Sequence, residues 1–142
     1  MSFTPYLSFQ GECADAFARY AELFGGTAQV MRFSDAPPNP QMPALPDDQK
    51  NWAMHAQLTL PDGAVLMGAD MPPQFGGVPQ AGVSIAVSRD TDDAARALFD
   101  GLAQGGTVIM PFLPTFFAKG FGMCKDRFGT SWMVSFGMED TK

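Results

Sequence analysis

The sequence predicts an α+β fold made of two copies of one β-α-β-β-β module. Three observations predict it. Each half carries a helical pattern closed by a glycine pair, Gly25-Gly26 and Gly105-Gly106, with Thr27 and Thr107 opening a strand pattern directly after. Each half finishes in a hairpin whose turn glycine, Gly63 or Gly129, stands four residues before a methionine, Met67 or Met133. The elements also come in the same order twice, which marks an internal repeat.

The first module opens with a short strand over 3–9, FTPYLSF. From Glu12 the apolar residues Cys13, Phe17, Tyr20, Ala21 and Phe24 fall on one face of a helix. Gly25-Gly26 ends it, because glycine takes the left-handed conformation after a helix without a Cβ clash. A strand follows over 27–33, and residues 52–60 and 64–70 form a hairpin about Asp62-Gly63. In the second module, 82–88 is a strand and Asp90 or Thr91 caps a helix with apolar face Ala95, Leu98, Phe99 and Leu102. A strand over 107–112 and a hairpin from about Gly120 to Phe136 complete it. The expected organisation is one domain over 1–142, with modules at about 1–70 and 81–138 and a linker at 71–80. One loop breaks the repeat: residues 34–51 contain five prolines and little periodicity. Such an insert is either a lid over a binding site or a solvated surface loop.

Composition narrows the function classes. At 142 residues and 46% apolar, the chain has the material for a packed core. A net charge of −6 without a basic stripe argues against nucleic acid as a partner. No run reaches the roughly 20 apolar residues of a membrane-spanning helix, and the N-terminus lacks the long apolar core of a signal peptide. Cys13 and Cys124 have no metal-ligand spacing and read as buried free thiols. These features lead us to expect a cytoplasmic protein with neither nucleic acid nor membrane as partner.

Two β-α-β-β-β copies with Gly-Gly helix stops and a closing D-x-F-G-x-x-W hairpin, Asp126 to Trp132, resemble the vicinal oxygen chelate superfamily. That superfamily contains glyoxalases, bleomycin-resistance proteins and extradiol dioxygenases. The chain most resembles its PhnB-like branch, through PYLSF at 5–9, Cys13-Ala14-Asp15-Ala16, His55-Ala56, Met67 to Asp70, Phe116 to Gly122 and Asp126 to Trp132. The similarity covers nearly the whole chain. It implies sheets curled around a central cavity, and a homodimer. In the superfamily's metal enzymes four strand residues hold a divalent ion; those positions fall here at Pro5, Met67, Ser84 and Met133. Proline has no side-chain donor atom and a thioether suits soft metals, so the resemblance implies no metal and no cofactor.

His55 is the sole histidine. If Asp62-Gly63 is a two-residue turn, Pro61 faces Ala64 and His55 falls opposite Asp70, a pair able either to hydrogen-bond structurally or to act as a general base. The same count puts residues 54, 56 and 58 on one face with 65, 67 and 69, and turns His55 away from Met67 unless a bulge intervenes. Met54, Met67 and Met133 are then expected to line the cavity with Ser84 and Ser135, and Trp52, Phe116 and Phe117 to form a lid or aromatic wall. Trp132 is expected to pack beneath the helices. Methionine is flexible and polarizable, which suits an apolar or aromatic small molecule. Alternatives are a metal-dependent lyase, isomerase or dioxygenase with displaced ligands at His55, Asp70 and Asp126, and a structural or sequestering dimer. No G-x-S-x-G elbow occurs, and no strand runs into a glycine-rich nucleotide loop. A nucleophile and base pair would have to use His55; Cys124 with His55 is conceivable, but nothing in the sequence visibly activates the thiol. Whether a reaction is catalysed stays open at this point.

Overall fold

A computed structural model describes residues 1–37, 39–41 and 44–138. The chain separates into two compact units, 1–80 and 81–142, each holding one module. In the first, strands β1 (Tyr6–Phe9), β2 (Thr27–Arg32), β3 (Ala53–Thr59) and β4 (Val65–Asp70) form a sheet of order β1-β4-β3-β2, with helix α1 (Cys13–Phe24) against one face. In the second, β5 (Ser84–Arg89), β6 (Thr107–Leu113), β7 (Ala118–Lys125) and β8 (Ser131–Met138) form a sheet of order β5-β8-β7-β6, with α2 (Asp92–Ala103) against it. β1 and β5 run parallel to β4 and β8, and the remaining pairs are antiparallel. This is the α+β fold of two β-α-β-β-β modules. Among the described residues no helix is long and apolar enough to cross a membrane.

Burial of one stripe of each helix assembles each core. α1 buries Cys13, Ala16, Phe17 and Tyr20 on the first sheet, and α2 buries Ala95, Leu98, Phe99 and Leu102 on the second. The fit under α1 is close: a Cβ on Gly68 would stand 2.9 Å from both the Phe17 ring and the Leu7 carbonyl oxygen. The helix starts are secured differently. Thr91 caps α2 locally, its hydroxyl accepting from the Ala94 N–H at 3.1 Å. α1 has no side-chain cap of its own. Asp70, at the end of β4, does this work from a distance in sequence: Oδ1 accepts from Gly11 N and Cys13 N, and Oδ2 from Ala53 N. Residues 71–80, expected as a linker, belong to the first unit, where Met71 N donates to Phe9 O.

The β3–β4 hairpin overturns the expected pairing. Its turn has three residues, Pro61, Asp62 and Gly63: Leu60 N donates to Ala64 O, and Gly63 N to Leu60 O. Pro61 sits at the second position of a type I-like turn and Gly63, with φ +93°, takes the left-handed conformation that returns the chain. Gln57 therefore pairs with Met67 and Leu58 with Leu66. Moving the pairing by one residue reverses which side chains share a face. Residues 55, 57 and 59 share the helix-free face with 65, 67 and 69, while Ala56 and Leu58 lie buried toward α1. A bulge also sits where the register shifts between Met31 and Arg32, inserting Met54. Ala53 and Ala56 are both buried, with half-buried Met54 and His55 between them.

Of the proline-rich stretch 34–51, Pro38, Met42 and Pro43 lie outside the described residues. Its ends are held together: Phe33 N donates to Trp52 O and Ser34 N to Lys50 O.

Candidate functional site

Strand alternation divides each sheet into a helix-covered face and a helix-free face, and on the helix-free faces the pairing brings matched residues into rows. In the first module the row is Gln29, Gln57, Met67 and Tyr6, on four adjacent strands. In the second it is Met110, Met123, Met133 and Ala86. The repeated methionine stands at the same place in both rows, between Gln57 and Tyr6 in one module and between Met123 and Ala86 in the other. A second row of the second module runs Leu113, Phe121, Ser135 and Ser88. Phe121 and Ser135 are buried although no helix covers their face. Phe117 meets Phe121 edge to face at 5.0 Å between centroids and Phe116 likewise at 5.2 Å, and Phe116 ends this aromatic ladder 92% exposed.

The structure places the expected residues as follows. Met67 and Met133 occupy equivalent helix-free positions, and Ser84 and Ser135 share a face with Met133. Met54 is the bulge residue of β3. Phe116 and Phe117 form the aromatic ladder, whereas Trp52 lies against the turn before α1, where a Cβ on Gly11 would stand 3.3 Å from its indole. The expected pair of His55 and Asp70 does not form. Asp70 is 2% exposed, and its two oxygens hold the three backbone N–H groups named above. His55 instead meets Tyr6, whose Oη lies 3.0 Å from Nδ1. Tyr6, the residue after Pro5, pairs with Met67 in the β1–β4 register, and Met67 N donates to Pro5 O.

Asp126 is likewise structural: Oδ1 accepts from Phe128 N and Thr130 N, and Oδ2 from the indole of buried Trp132. The displaced metal set of His55, Asp70 and Asp126 is thus three residues with separate structural partners. Among the described residues no three His, Cys, Asp or Glu side chains cluster as a metal site. Pro5, Met67, Ser84 and Met133 do not supply the nitrogen and carboxylate donors a hard divalent ion takes. Burial, with Asp126 adding, pushes the Cys124 thiol up to about 11, and burial, with Asp70 and Glu12 adding, pushes Cys13 up as well. Near neutral pH both stay thiols, which removes Cys124 as a ready nucleophile.

Sequence reasoning missed Tyr6, Met110, Met123 and Phe121. The last two were legible in β7, where Gly120 and Gly122 alternate with Phe121 and Met123: glycines beneath the helix side, large residues opposite.

Known proteins resemble this chain in sequence and fold. The family model described as 3-demethylubiquinone-9 3-methyltransferase, that of the PhnB-like proteins, matches residues 1–135. The chain belongs to this family. Protein YjdN of Escherichia coli (strain K12) is 30% identical over 144 residues, covering 95% of both chains. The crystal structure of protein PA1353 from Pseudomonas aeruginosa is 39% identical with a TM-score of 0.85, over 98% of this chain and 99% of that one. A PhnB protein from Bacillus cereus is 24% identical with a TM-score of 0.72, over 96% and 100% of the two chains, and shows the fold alone. A glyoxalase/bleomycin-resistance/dioxygenase domain from Frankia likewise shares only the fold, at 14% identity and a TM-score of 0.62, over 99% and 94%. The PhnB-like chain described here thus carries the glyoxalase-like fold.

Proposed function

We propose that this PhnB-like protein binds a small, largely apolar or aromatic molecule on the helix-free faces of its sheets, without the divalent ion of the superfamily's metal enzymes. The row of Met110, Met123 and Met133 carries this reading. Three flexible, polarizable side chains side by side on adjacent strands make a surface that adapts to an aromatic ring. Phe117 and Phe121 add an aromatic wall to the same face, and Ser135 a hydroxyl.

The family's description names methyl transfer to a ubiquinone precursor. The residues here do not fit a nucleotide-based methyl donor: α1 is preceded by Gln10-Gly11-Glu12 and α2 by Arg89-Asp90-Thr91, neither a glycine-rich loop able to cradle it. Homodimer formation belongs to the proposal too. It is supported by the edge strand β6, which exposes Val108, Ile109 and Leu113. A cytoplasmic setting suits the two buried free thiols.

The test is NMR of methionine-methyl-labelled protein titrated with ethylbenzene, alongside light scattering. Saturable shifts at Met67, Met110, Met123 or Met133, in a particle of twice the chain mass, are the expected result. Methyl signals that stay still up to millimolar ethylbenzene overturn the binding reading, and a monomer overturns the dimer.

A further inference from the structure

Tyr6 stands on β1 and His55 on β3, with β4 between them, yet their side chains meet: Tyr6 Oη lies 3.0 Å from His55 Nδ1 and the ring centroids are 5.7 Å apart. Adjacent strands are about 4.8 Å apart, so the two rings lean toward each other across the middle strand, on the face that carries Met67 and Ala69. Ala69 is only 4% exposed although α1 lies on the opposite side of the sheet.

The hydrogen bond has a direction. A phenol is a better proton donor than a neutral imidazole N–H, and an imidazole nitrogen a better acceptor than a phenol oxygen, so Tyr6 donates and Nδ1 accepts. Partial burial, with Cys13 adding, raises the Tyr6 phenol above its ordinary value and keeps it a neutral donor. With Nδ1 accepting, the neutral ring must carry its proton on Nε2. The protonated ring carries one there as well. Among the described residues Nε2 has no hydrogen-bond partner, and no buried side-chain nitrogen or oxygen lacks one. Nε2–H therefore meets solvent: a fixed donor on an otherwise amide and thioether surface.

We propose that His55 Nε2–H, oriented by Tyr6, binds the carbonyl or carboxylate oxygen of a small aromatic ligand whose ring lies on the Met67 side of the first module. This rests on the apolar-ligand reading and narrows it to molecules carrying an acceptor oxygen. Tyr6 is a positioning residue, and His55 is the contact. A ligand without an acceptor leaves the donor desolvated and unpaired, which disfavours it.

A single histidine gives a single imidazole to observe by ¹⁵N NMR. The expected spectrum of the free protein shows a protonated Nε2 and an acceptor-type Nδ1, and Tyr6→Phe relaxes this to a mixture of tautomers. Acetophenone and benzoate are expected to bind about tenfold more tightly than ethylbenzene, and to shift Nε2 more than Nδ1. His55→Leu is expected to abolish that preference. A proton found on Nδ1 overturns the proposal. So does equal affinity for all three probes, in which case methionine-methyl shifts with ethylbenzene still uphold the apolar-ligand reading. Failure of both acetophenone and benzoate to bind overturns it too, while the ethylbenzene titration judges the parent reading separately.

Discussion

Replacing Asp70 by asparagine tests whether this carboxylate builds the fold or serves chemistry. The two side chains have the same shape, but asparagine has one acceptor oxygen where aspartate has two. Asp70 Oδ1 accepts from Gly11 N at 2.8 Å and Cys13 N at 3.0 Å, and Oδ2 from Ala53 N at 2.8 Å. Whichever way the amide is turned, its NH₂ faces at least one backbone N–H. If the oxygen keeps the first two bonds, the fully buried Ala53 N–H is left without an acceptor, which costs about 1–3 kcal/mol. The two surviving bonds lose their charge assistance, and the start of α1 loses a negative charge, together about another 1–2 kcal/mol. We expect a loss of about 3–4 kcal/mol, a large part of the stability of a unit this size. In urea this lowers the midpoint by on the order of 2 M at unchanged slope. Trp52 lies in the first unit and Trp132 in the second, so Trp→Phe variants let fluorescence report each unit separately. The loss should be read by Trp52. A loss below about 1 kcal/mol would refute the reasoning, as would a change in His55 imidazole signals with stability intact, which would restore the dyad.

Three further outcomes are expected. Both cysteines should be silent to a thiol reagent in native protein and titrate fully in denaturant, since both are buried and shifted upward. A thiol whose pKa is raised in the folded state binds its proton more tightly there. Its contribution is complete below about 9, the ordinary thiol value, and is lost as pH rises toward about 11, at up to about 1.4 kcal/mol per pH unit; Cys124→Ala should flatten that alkaline slope, measured by urea unfolding at pH 8, 9 and 10. Gly122→Ala would place a Cβ 2.7 Å from the Phe99 ring and should cost about 1–3 kcal/mol by overpacking, read by thermal unfolding.

The repeat, both helices and the Gly25 stop of α1 were legible because helical periodicity and turn glycines are local signals, whereas α2 is capped by Gln104 in extended conformation, ahead of the expected Gly105-Gly106. The facing of residues on β3 was not legible. Asp62-Gly63 reads as a two-residue turn, and only the preceding Pro61, preset for the second position of a type I turn, signals that the loop has three. One residue decided the matter: it moved His55 from the helix side to the face of Met67 and dissolved its pairing with Asp70. The role of Asp70 was hidden for another reason, since its partners Gly11, Cys13 and Ala53 come together only in the folded module. Ser84 and Met133 lie on one face of the β5–β8 pair, where Ser84 pairs with Ser131 and Ala86 with Met133.

The methionine rows and the buried helix sides occupy alternate positions of the same strands, and this separates two kinds of tolerance to mutation. Changes at even residues of β4 or β7 meet a helix within a few ångströms. Met67 and Met123, at odd positions, lie on the opposite, helix-free face. Gln29 and Gln57 could therefore become methionines, giving the first module the lining of the second, with the core left as it is. The fold is in this respect a re-lineable scaffold, in which new ligand preferences can be written onto one side of a sheet without renegotiating the packing on the other.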